Sequence, residues 1–323
     1  MRHALVLLAN ALVLAALPAF AQNWPAKTVT VVLPTVPGGP VDVITRGVAD
    51  KLRERLGQPF VVENRPGAGG TVGTASVARA APDGYTLLFS IDPPIVVNPA
   101  LLDPVPYDPV RDFAPVAMVG DGGDNLLLVP GDSPSRSVRE LVEAMRKDPA
   151  KANYTSSGNG GPGHILGELF KREAKFDAQH VPQKGAPPAL NDLMGSRVAF
   201  AFLPVGLVRG HLQSGKVRAL AVASAQRNPL VPDLPTVAES GYPAFKPVHW
   251  FVVALAPANT PRAVVERLNS EIRAITSGGE FKSLLDRQGL VPGTLSPAEL
   301  GERIRKDYAY WSSVVKQLNI KPD

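Results

Sequence analysis

The sequence of 323 residues contains no cysteine. This absence excludes a disulfide-stabilised domain, a thiolate metal site and a lipoprotein anchor, which needs a cysteine at its cleavage site. A chain without such cross-links must be held together by its hydrophobic core alone, which suits a protein exported to a bacterial periplasm. Residues 22–323 are long enough for two α/β domains.

Long apolar runs are also missing after residue 21, where no stretch reaches the ~18 apolar residues of a membrane span. Residues 1–21 have a different pattern, with Arg2 near the start, an apolar run broken only by Asn10, and an A-x-A site that ends at Ala21. This pattern predicts a secretory signal peptide that is cleaved after Ala21, and the alternative is an N-terminal membrane anchor.

No dense cluster of one charge occurs, although the formal net charge is +5. The densest positive cluster, 303–306, is flanked by Glu302 and Asp307. A scattered excess of this kind argues against a nucleic-acid surface, and we expect no nucleic-acid partner. A mildly basic protein can still favour small anionic molecules.

Catalytic and metal-binding motifs are scarce. The chain has no G-x-S-x-G nucleophile elbow and no H-E-x-x-H zinc motif. The histidines after the leader are His164, His180, His211 and His249, and no two lie at ligand spacing. We therefore expect structural histidines, no metal site and no catalytic residues.

Two glycine motifs resemble nucleotide-binding sequences. Gly158, Gly160 and Gly163 match G-x-G-x-x-G, but Pro162 removes an N–H from the fingerprint and an exported chain meets no free NAD pool. The segment 210–216 is a near match to the P-loop, but a helix precedes it and a strand follows, which is the reverse order. We therefore predict no cofactor.

Apolar runs of strand length alternate with helical patterns. The predicted strands are 28–33, 59–63, 85–90, 114–119, 125–129, 152–156, 178–181, 198–202, 217–224 and 250–255. The main predicted helices are 41–56, 71–80, 138–147, 165–170, 261–276, 280–288 and 297–318. This alternation predicts an α/β fold of parallel sheets with helices on both faces, and the number of strands suits two sheets.

The chain has two plausible domain boundaries. A glycine-rich stretch, 121–124, lies between two strands with no helix, and a second candidate, 249–251, follows a helix-poor segment. Two crossings make the first domain discontinuous. We predict one lobe from 22–122 and 252–323, a second lobe from 123–251, and a ligand site in the cleft between them.

Several strand-to-helix junctions have the composition of an anion site, because the first N–H groups of a helix lack partners. The first junction is 35–40, where Gly38 and Gly39 can present unpaired N–H groups to a ligand. Asp42 can accept hydrogen bonds from N–H groups that the ligand does not use. The second is 156–164, with two serines and four glycines. Each junction can equally be a structural turn. A third junction, 64–70, could also bind an anion, or Arg65 could brace this loop by pairing with a nearby carboxylate. At a fourth junction, Lys184 either contacts a ligand or is a solvated surface residue.

An ordered set of motifs resembles the periplasmic receptors of the tripartite tricarboxylate transporters, often called the Bug family. The matching segments cover the whole chain after the leader and include WP at 24–25, PTVPGG at 34–39, VENRPGAGG at 62–70, APDGYTLL at 81–88, DFAPV at 112–116, SSGNG at 156–160, HVPQKG at 180–185, SGKVRALAV at 214–222 and DLPTVAE at 233–239.

The resemblance implies an α/β fold with two Rossmann-like lobes around a cleft, the type II periplasmic binding protein fold. It also implies capture of a small organic carboxylate and its delivery to membrane permease subunits. We expect the protein to be a monomer. The expected ligand-binding residues are Thr35, Val36, Pro37, Gly38, Gly39, Asp42, Ser90, Ser156, Ser157, Gly158, Asn159, Gly160, His164, Gln183, Lys184, Gly185 and Pro204. The chain departs from the family pattern at Val41, where Thr, Ser or Asn is common, and at Gln183, where an aromatic is usual.

Two other functions stay open at this point. One is a periplasmic carboxylate sensor that docks on a signalling partner. The other is a periplasmic enzyme acting on a carboxylate, with His164 or Lys184 as acid or base.

Overall fold

The computed structural model describes residues 24–102, 104–245, 247–248 and 250–318. The predicted signal peptide, its alternative as an anchor, and His249 lie outside the described residues. Among the helices that are described, none is both long enough and apolar enough to cross a bilayer.

The strands form two separate sheets. In chain order they are Val29–Leu33 (β1), Phe60–Asn64 (β2), Thr86–Ile91 (β3), Phe113–Gly123 (β4), Asn125–Pro130 (β5), Asn153–Ser156 (β6), Gln179–Pro182 (β7), Phe200–Pro204 (β8), Val217–Ala223 (β9), Trp250–Pro257 (β10) and Val291–Pro292 (β11). The first sheet has the order β11-β4-β10-β3-β1-β2, and the second has the order β7-β6-β8-β5-β9. We call each sheet with its helices a lobe.

Helices flank both sheets. They are Pro40–Leu56 (α1), Thr71–Ala78 (α2), Asn98–Leu101 (α3), Val138–Lys147 (α4), Pro162–Glu173 (α5), Ala186–Met194 (α6), Val205–Gln213 (α7), Arg262–Ser277 (α8), Gly279–Arg287 (α9) and Pro297–Leu318 (α10). Short 3-10 or π turns occupy Ala68–Gly70, Pro93–Val97 and Pro149–Lys151. The predicted helix 165–170 is longer at both ends, and the sequence patterns did not predict α3 or α6.

Every predicted strand is present. Their ends agree within two residues except at the end of β4, which continues to Gly123. The two-residue strand β11 was missed because a Val-Pro pair carries no alternation pattern. Neighbouring residues of one strand enter different cores: Leu127 belongs to one buried cluster, whereas Leu126 and Leu128 belong to another. Both faces of the second sheet are therefore covered, which explains why such runs are apolar throughout.

The sheets are mixed, so the prediction of parallel sheets is correct only in part: β6 is parallel to β7 and β8 in the second sheet. Within the first sheet β1 is parallel to β2 and β3, but β10 is antiparallel to both β3 and β4. In the second sheet β5 is antiparallel to β8 and β9. A crossover helix between neighbouring strands imposes parallel pairing. The chain enters β5 directly from β4 and reaches β10 from the other sheet, so no such helix sets their direction.

The chain passes between the sheets twice. The first crossing is the single residue Asp124, between β4 and β5, and the second lies between β9 and β10. Asn228 Nδ2 donates a hydrogen bond of 2.8 Å to Asp124 Oδ2, which ties the two crossings together. Strand β10 begins at Trp250, so it spans the predicted boundary at 251/252. The division into 22–122 plus 252–323 and 123–251 stays a prediction.

Candidate functional site

A cleft of about 350 Å³ lies between the two lobes. It opens where the carboxyl ends of strands from both sheets face each other, which is the usual ligand position in α/β folds. The first lobe contributes residues 33–35, 41, 66–70, 91, 93–94 and 102, and the second lobe contributes 157–159, 161 and 182–185.

A smaller chamber of about 50 Å³ adjoins the cleft. Thr35, Val41, Ile91 and Ser157 line both spaces. The remaining walls of the chamber are Gly39, Pro40, Asn125, Pro162, Gly163, Ala186, Pro187, Phe202, Pro204 and Trp250. Of the predicted site residues, Gly39 and Pro204 thus face the chamber.

The first-lobe loop is held by Asp42, near the start of α1. Gly38 N–H donates to Asp42 Oδ2 at 3.1 Å, and Asn64 Nδ2 donates to Asp42 Oδ1 at 3.0 Å. Burial by itself raises the pKa of Asp42, but hydrogen bonds from Arg46, Asn64 and Gly38 outweigh it and place this pKa below its ordinary value. Asp42 is therefore ionised and is a brace for the loop.

This geometry corrects the expectation that Gly38 offers a bare N–H group, because Asp42 already accepts that hydrogen. Val36, Pro37, Gly38 and Asp42 do not line the cleft or the chamber. Pro40 stands at the first helical position as predicted, with Gly39 as the N-cap.

The second-lobe loop divides into lining and supporting residues. Ser157, Gly158 and Asn159 line the cleft. Ser156 does not: it is fully buried, and its Oγ accepts from Gly158 N–H at 3.1 Å and lies 2.8 Å from His180 Nε2. Gly160 N–H donates to His164 Nδ1 at 3.0 Å, so this hydrogen bond also stabilises the loop.

The histidines belong to a buried aromatic stack behind this loop. The rings of His164 and His180 are parallel, with centroids 4.1 Å apart, and Tyr154 stacks on the other side of His180 at 4.8 Å. Burial, with a smaller contribution from the charge of Lys171, lowers the pKa of His180 to about 4. Neither His164 nor His180 lines the cleft or the chamber. Both rings pack behind the loop that lines the cleft.

The third loop, 182–185, contributes a lysine side chain to the cleft. Lys184 is exposed, and no other Lys, Arg, His, Asp or Glu is among the described residues that line the cleft. Gln183 lines the cleft as well, but its side-chain amide donates to Asp192 on α6. Ser90, another predicted ligand residue, is fully buried and donates its hydroxyl to Ile91 O at 3.0 Å, so it faces neither space.

The sequence analysis named the glycine-rich junction 64–70 as a possible anion site, and residues 66–70 of this junction line the cleft. It did not single out Ile91, Pro93, Pro94 or Leu102, which also line the cleft. Arg65 in the junction pairs with Glu63 at 2.6 Å, which confirms the bracing alternative. The prolines at 93–94 form part of a π turn and carry no sequence signal for a ligand wall.

Loops of the two lobes touch across the cleft. A Cβ added at Gly69 would lie 2.7 Å from Asn159 O, and one at Gly160 would lie 2.1 Å from Asn98 Oδ1. A Cβ at Gly185 would lie 2.5 Å from Val36 Cγ2. These glycines allow a backbone approach that no side chain would permit, and the lobes are in a closed arrangement.

Four helices direct their N-termini at these spaces. The N-caps of α1, α2, α5 and α6 are Gly39, Gly70, Gly161 and Gly185, and each lines the cleft or the chamber. Among the described residues, none of these four helices has a side-chain cap. Helix α4, away from the cleft, is different, because Ser137 caps it by accepting from Glu140 N–H. The described part of the chain holds no group of three or more His, Asp or Glu fit for a metal ion.

The model of the tripartite tricarboxylate transporter family receptor matches residues 44–320 of the chain. The chain belongs to this receptor family. Protein BugT of Bordetella pertussis is 35% identical over 308 residues, which cover 95% of this chain and 94% of BugT.

Solved structures with similar sequences have the same fold. The adipate-bound protein Rpa4515 of R. palustris has a TM-score of 0.88 at 33% identity, covering 93% of this chain and all (100%) of that one. Malate-bound MatC of Rhodopseudomonas palustris has a TM-score of 0.85 at 32% identity, covering 90% and 100%. The periplasmic binding protein BugD has a TM-score of 0.86 at 32% identity, covering 93% and 100%. The predicted family and two-lobe fold are confirmed, and the chain is a solute-binding receptor.

Proposed function

We propose that this receptor captures a small organic carboxylate in the cleft by lobe closure and delivers it to permease subunits of a tripartite transporter. The observation that carries the proposal is the convergence of four helix N-termini with glycine caps on the cleft and its adjoining chamber. Uncapped N-termini leave N–H donors without partners and add positive potential, so they favour an anion. The adipate and malate bound by its relatives support this class of ligand.

The charges of the cleft agree with an anionic ligand. Lys184 adds one positive charge, and no Asp or Glu is among the described residues that line the cleft or the chamber. Hydrogen bonds to a charged group contribute about 1.5–3 kcal/mol each. Several of them support micromolar binding, which is about −8 kcal/mol, after the costs of ordering.

The closed arrangement is one of the two states of the binding cycle that we propose. An open receptor takes the carboxylate on one lobe, and closure adds contacts from the other lobe. Those extra contacts are what favour the closed state. We further propose that residues 1–21 direct export and are removed after Ala21, and that the receptor acts as a monomer without catalysis.

A thermal-shift screen of purified residues 22–323 tests the proposal. Short mono- and dicarboxylates should raise the melting temperature by several degrees, because a ligand at about 100 times its Kd stabilises the folded state by about 2.7 kcal/mol. The matching primary amides, which lack the charge, should have no effect. Equal effects of acids and amides, or no effect of either, would contradict the proposal.

Lys184→Ala tests the role of the cleft cation, with Lys216→Ala as a matched exposed control outside the cleft. We expect K184A to weaken carboxylate binding about twofold to fivefold, since an exposed charge contributes at most about 1 kcal/mol, and K216A to leave it unchanged. Equal Kd values for the two variants, measured by calorimetry, would exclude Lys184 from the site.

The two other functions have their own tests. For an enzyme, NMR of the bound acid after incubation should reveal a product, whereas a receptor returns its ligand unchanged. His164 argues against catalysis because it is 1% exposed and lines neither space. For a sensor, a deletion strain should keep normal uptake of the acid, whereas loss of uptake supports transport.

A further inference from the structure

Two side chains with unpaired hydrogen-bond donors line the chamber beside the cleft. The carboxamide nitrogen of Asn125 and the indole nitrogen of Trp250 are buried and have no partner among the described residues. The two residues are 1% and 2% exposed, so bulk water does not reach them. Buried donors are nearly always paired in native proteins, and two unpaired donors in one chamber therefore indicate that an acceptor binds there.

Both donors belong to strands that lie at the crossings between the lobes. Asn125 is the first residue of β5, and its backbone is paired on both sides, with Pro204 of β8 and Ala223 of β9. Trp250 is the first residue of β10 and lies opposite Gly123, where an added Cβ would clash with the indole ring. The donors are thus positioned by the two sheets and not by the loops of the cleft.

The first residues of three helices line the same chamber. They are 39–41 of α1, 162–163 of α5 and 186–187 of α6. A helix N-terminus carries positive potential from the helix dipole, which favours a negatively charged group. No Asp or Glu is among the described residues that line the chamber. The acceptor that this chamber favours is therefore an anion.

Prolines limit how many backbone donors these helix ends provide. Pro40 and Pro162 are the first residues of α1 and α5, and Pro187 and Pro188 follow the first residue of α6. Proline has no N–H group, so the three helix ends offer positive potential with few hydrogen-bond donors. A buried carboxylate needs several donors to offset its lost hydration. Side-chain donors must then supply part of this set.

We propose that the carboxylate of the ligand lies in the chamber, where Asn125 Nδ2 and Trp250 Nε1 donate hydrogen bonds to it. The chamber adjoins the cleft through Thr35, Val41, Ile91 and Ser157, which line both spaces. The rest of the ligand therefore extends past these residues into the cleft. This inference rests on the proposed function, since it presumes that the receptor binds a carboxylate.

The indole NMR signals of the ¹⁵N-labelled receptor test the Trp250 contact. The chain has three tryptophans, Trp24, Trp250 and Trp311, and the loss of one signal in Trp250→Phe assigns that signal. The probes are straight-chain monocarboxylates of two to six carbons and dicarboxylates of four to six carbons. Every acid that binds should move the Trp250 indole proton downfield and leave the other two signals in place. A Trp250 signal that does not move while an acid binds would overturn the inference.

Two variants measure the contribution of the donors to affinity. Trp250→Phe removes the indole N–H, and Asn125→Leu replaces the amide by an apolar side chain with the same branching. Each should weaken the binding of every acid about tenfold or more in calorimetry, because it removes a hydrogen bond to a charged group. Each should leave the melting temperature of the ligand-free protein unchanged or higher, because the donor has no partner there. If one variant fails to fold, the other still decides.

Trp24→Phe and Asn269→Leu are the matched controls. Trp24 also has an unpaired indole N–H but lines neither space, so W24F should leave acid binding unchanged. Asn269 Nδ2 donates to Val116 O at 2.7 Å, away from both spaces. N269L should lower the melting temperature and leave acid binding unchanged. If the controls weaken binding as much as the chamber variants do, the effect is a general one and the inference is wrong.

The outcomes separate this inference from the proposed function. If the wild type and both chamber variants bind acids equally, the inference fails and carboxylate capture stays in place. If no acid binds the wild-type chain, carboxylate capture itself fails, and the inference fails with it. A chamber that holds only ordered water leaves the Trp250 signal and the affinities of the variants unchanged, and this result also overturns the inference.

Discussion

Asp42 determines the shape of the first-lobe loop through a single carboxylate. It accepts from Gly38 N–H and Asn64 Nδ2 and pairs with Arg46 at 3.1 Å. Asp42→Asn replaces one acceptor oxygen by a donor that faces other donors. We expect a loss of about 1–3 kcal/mol in the free energy of unfolding and weaker carboxylate binding, measured by urea denaturation and calorimetry.

Asp50→Asn is the control for this variant. Asp50 lies on the same helix, is exposed, and has only a distant contact with Arg53 at 3.8 Å. It should leave both measurements unchanged. Equal behaviour of D42N and D50N would show that the loop does not depend on the carboxylate.

His180 makes the stability of the receptor depend on pH. The pKa of His180 is about 4 in the folded protein, against 6.5 for an unperturbed histidine, which represents the unfolded chain. Between these values the unfolded state binds more protons, so stability falls as the pH drops from 6.5 to 4. The full contribution, present above pH 6.5, is at most about 3 kcal/mol.

His180→Gln should flatten that part of the pH profile while its amide can still pair with Ser156. His211→Gln, at a partly exposed position of α7, should keep the wild-type slope. Urea denaturation at half-unit steps from pH 7.5 to 4 measures both. A wild-type slope in H180Q would assign the pH dependence to other groups.

Glycine caps at the helix ends leave room for the ligand at the expense of helix stability. Gly39 has β-region dihedrals and only Pro187 within 4 Å of an added Cβ, at 3.8 Å, so a side chain fits there. Gly39→Asp should cap α1 and stabilise the free protein by some tenths of a kcal/mol, up to about 1. Its charge should weaken carboxylate binding at least tenfold, as measured by calorimetry.

Gly278→Asp is the matched control, because Gly278 caps α9 without a side-chain bond and lies outside the cleft. Gly278 also ends α8, whose carbonyl groups disfavour a negative charge, so G278D should stabilise the protein less than G39D. It should leave carboxylate binding unchanged. If G39D binds carboxylates as tightly as G278D, the end of α1 is not part of the anion site.

Periodicity predicted the elements because each buries a defined face. Runs such as 125–129 are apolar at every position after the first, and the structure covers both faces of that strand. In α1 the residues Val41, Ile44, Val48 and Leu52 are buried on one stripe, and Gly57 ends the helix with a φ of 71°. Strand direction was not predictable, because it depends on which sheet the chain enters after a crossing.

The site was predictable only in part, for a related reason. A glycine-rich junction predicted Ser157–Asn159, since backbone exposure leaves a signature in composition, and the family resemblance predicted the loop around Lys184. Whether a given N–H group faces the ligand depends on whether another residue already accepts its hydrogen bond, as Asp42 does for Gly38. The chamber could not be predicted, because Asn125 and Trp250 line one space only when the two crossings lie side by side.

The closed arrangement of the whole molecule depends on glycines at the contact between lobes. Gly69→Ala places a Cβ 2.7 Å from Asn159 O, so the lobes must separate or the loop must shift. We expect weaker carboxylate binding, by tenfold or more. In small-angle scattering with saturating ligand, we expect a radius of gyration larger than that of the wild type.

Gly215→Ala is the matched control. Gly215 also has a left-handed φ, at 70° against 61° for Gly69, but an added Cβ there meets nothing within 4 Å. Both variants carry the cost of a left-handed alanine, and only G69A blocks the lobe contact. Identical affinity and radius in the two variants would show that this contact does not limit closure.

The uncapped helix ends have a consequence for the lifetime of the receptor. Four helices begin without the side chain that normally completes their first turn, and in our proposal the cargo completes it instead. An empty receptor should then open locally more often and be digested faster by proteases than a loaded one. Supply of the nutrient would in this way regulate how many receptors a cell retains, without any change in gene expression.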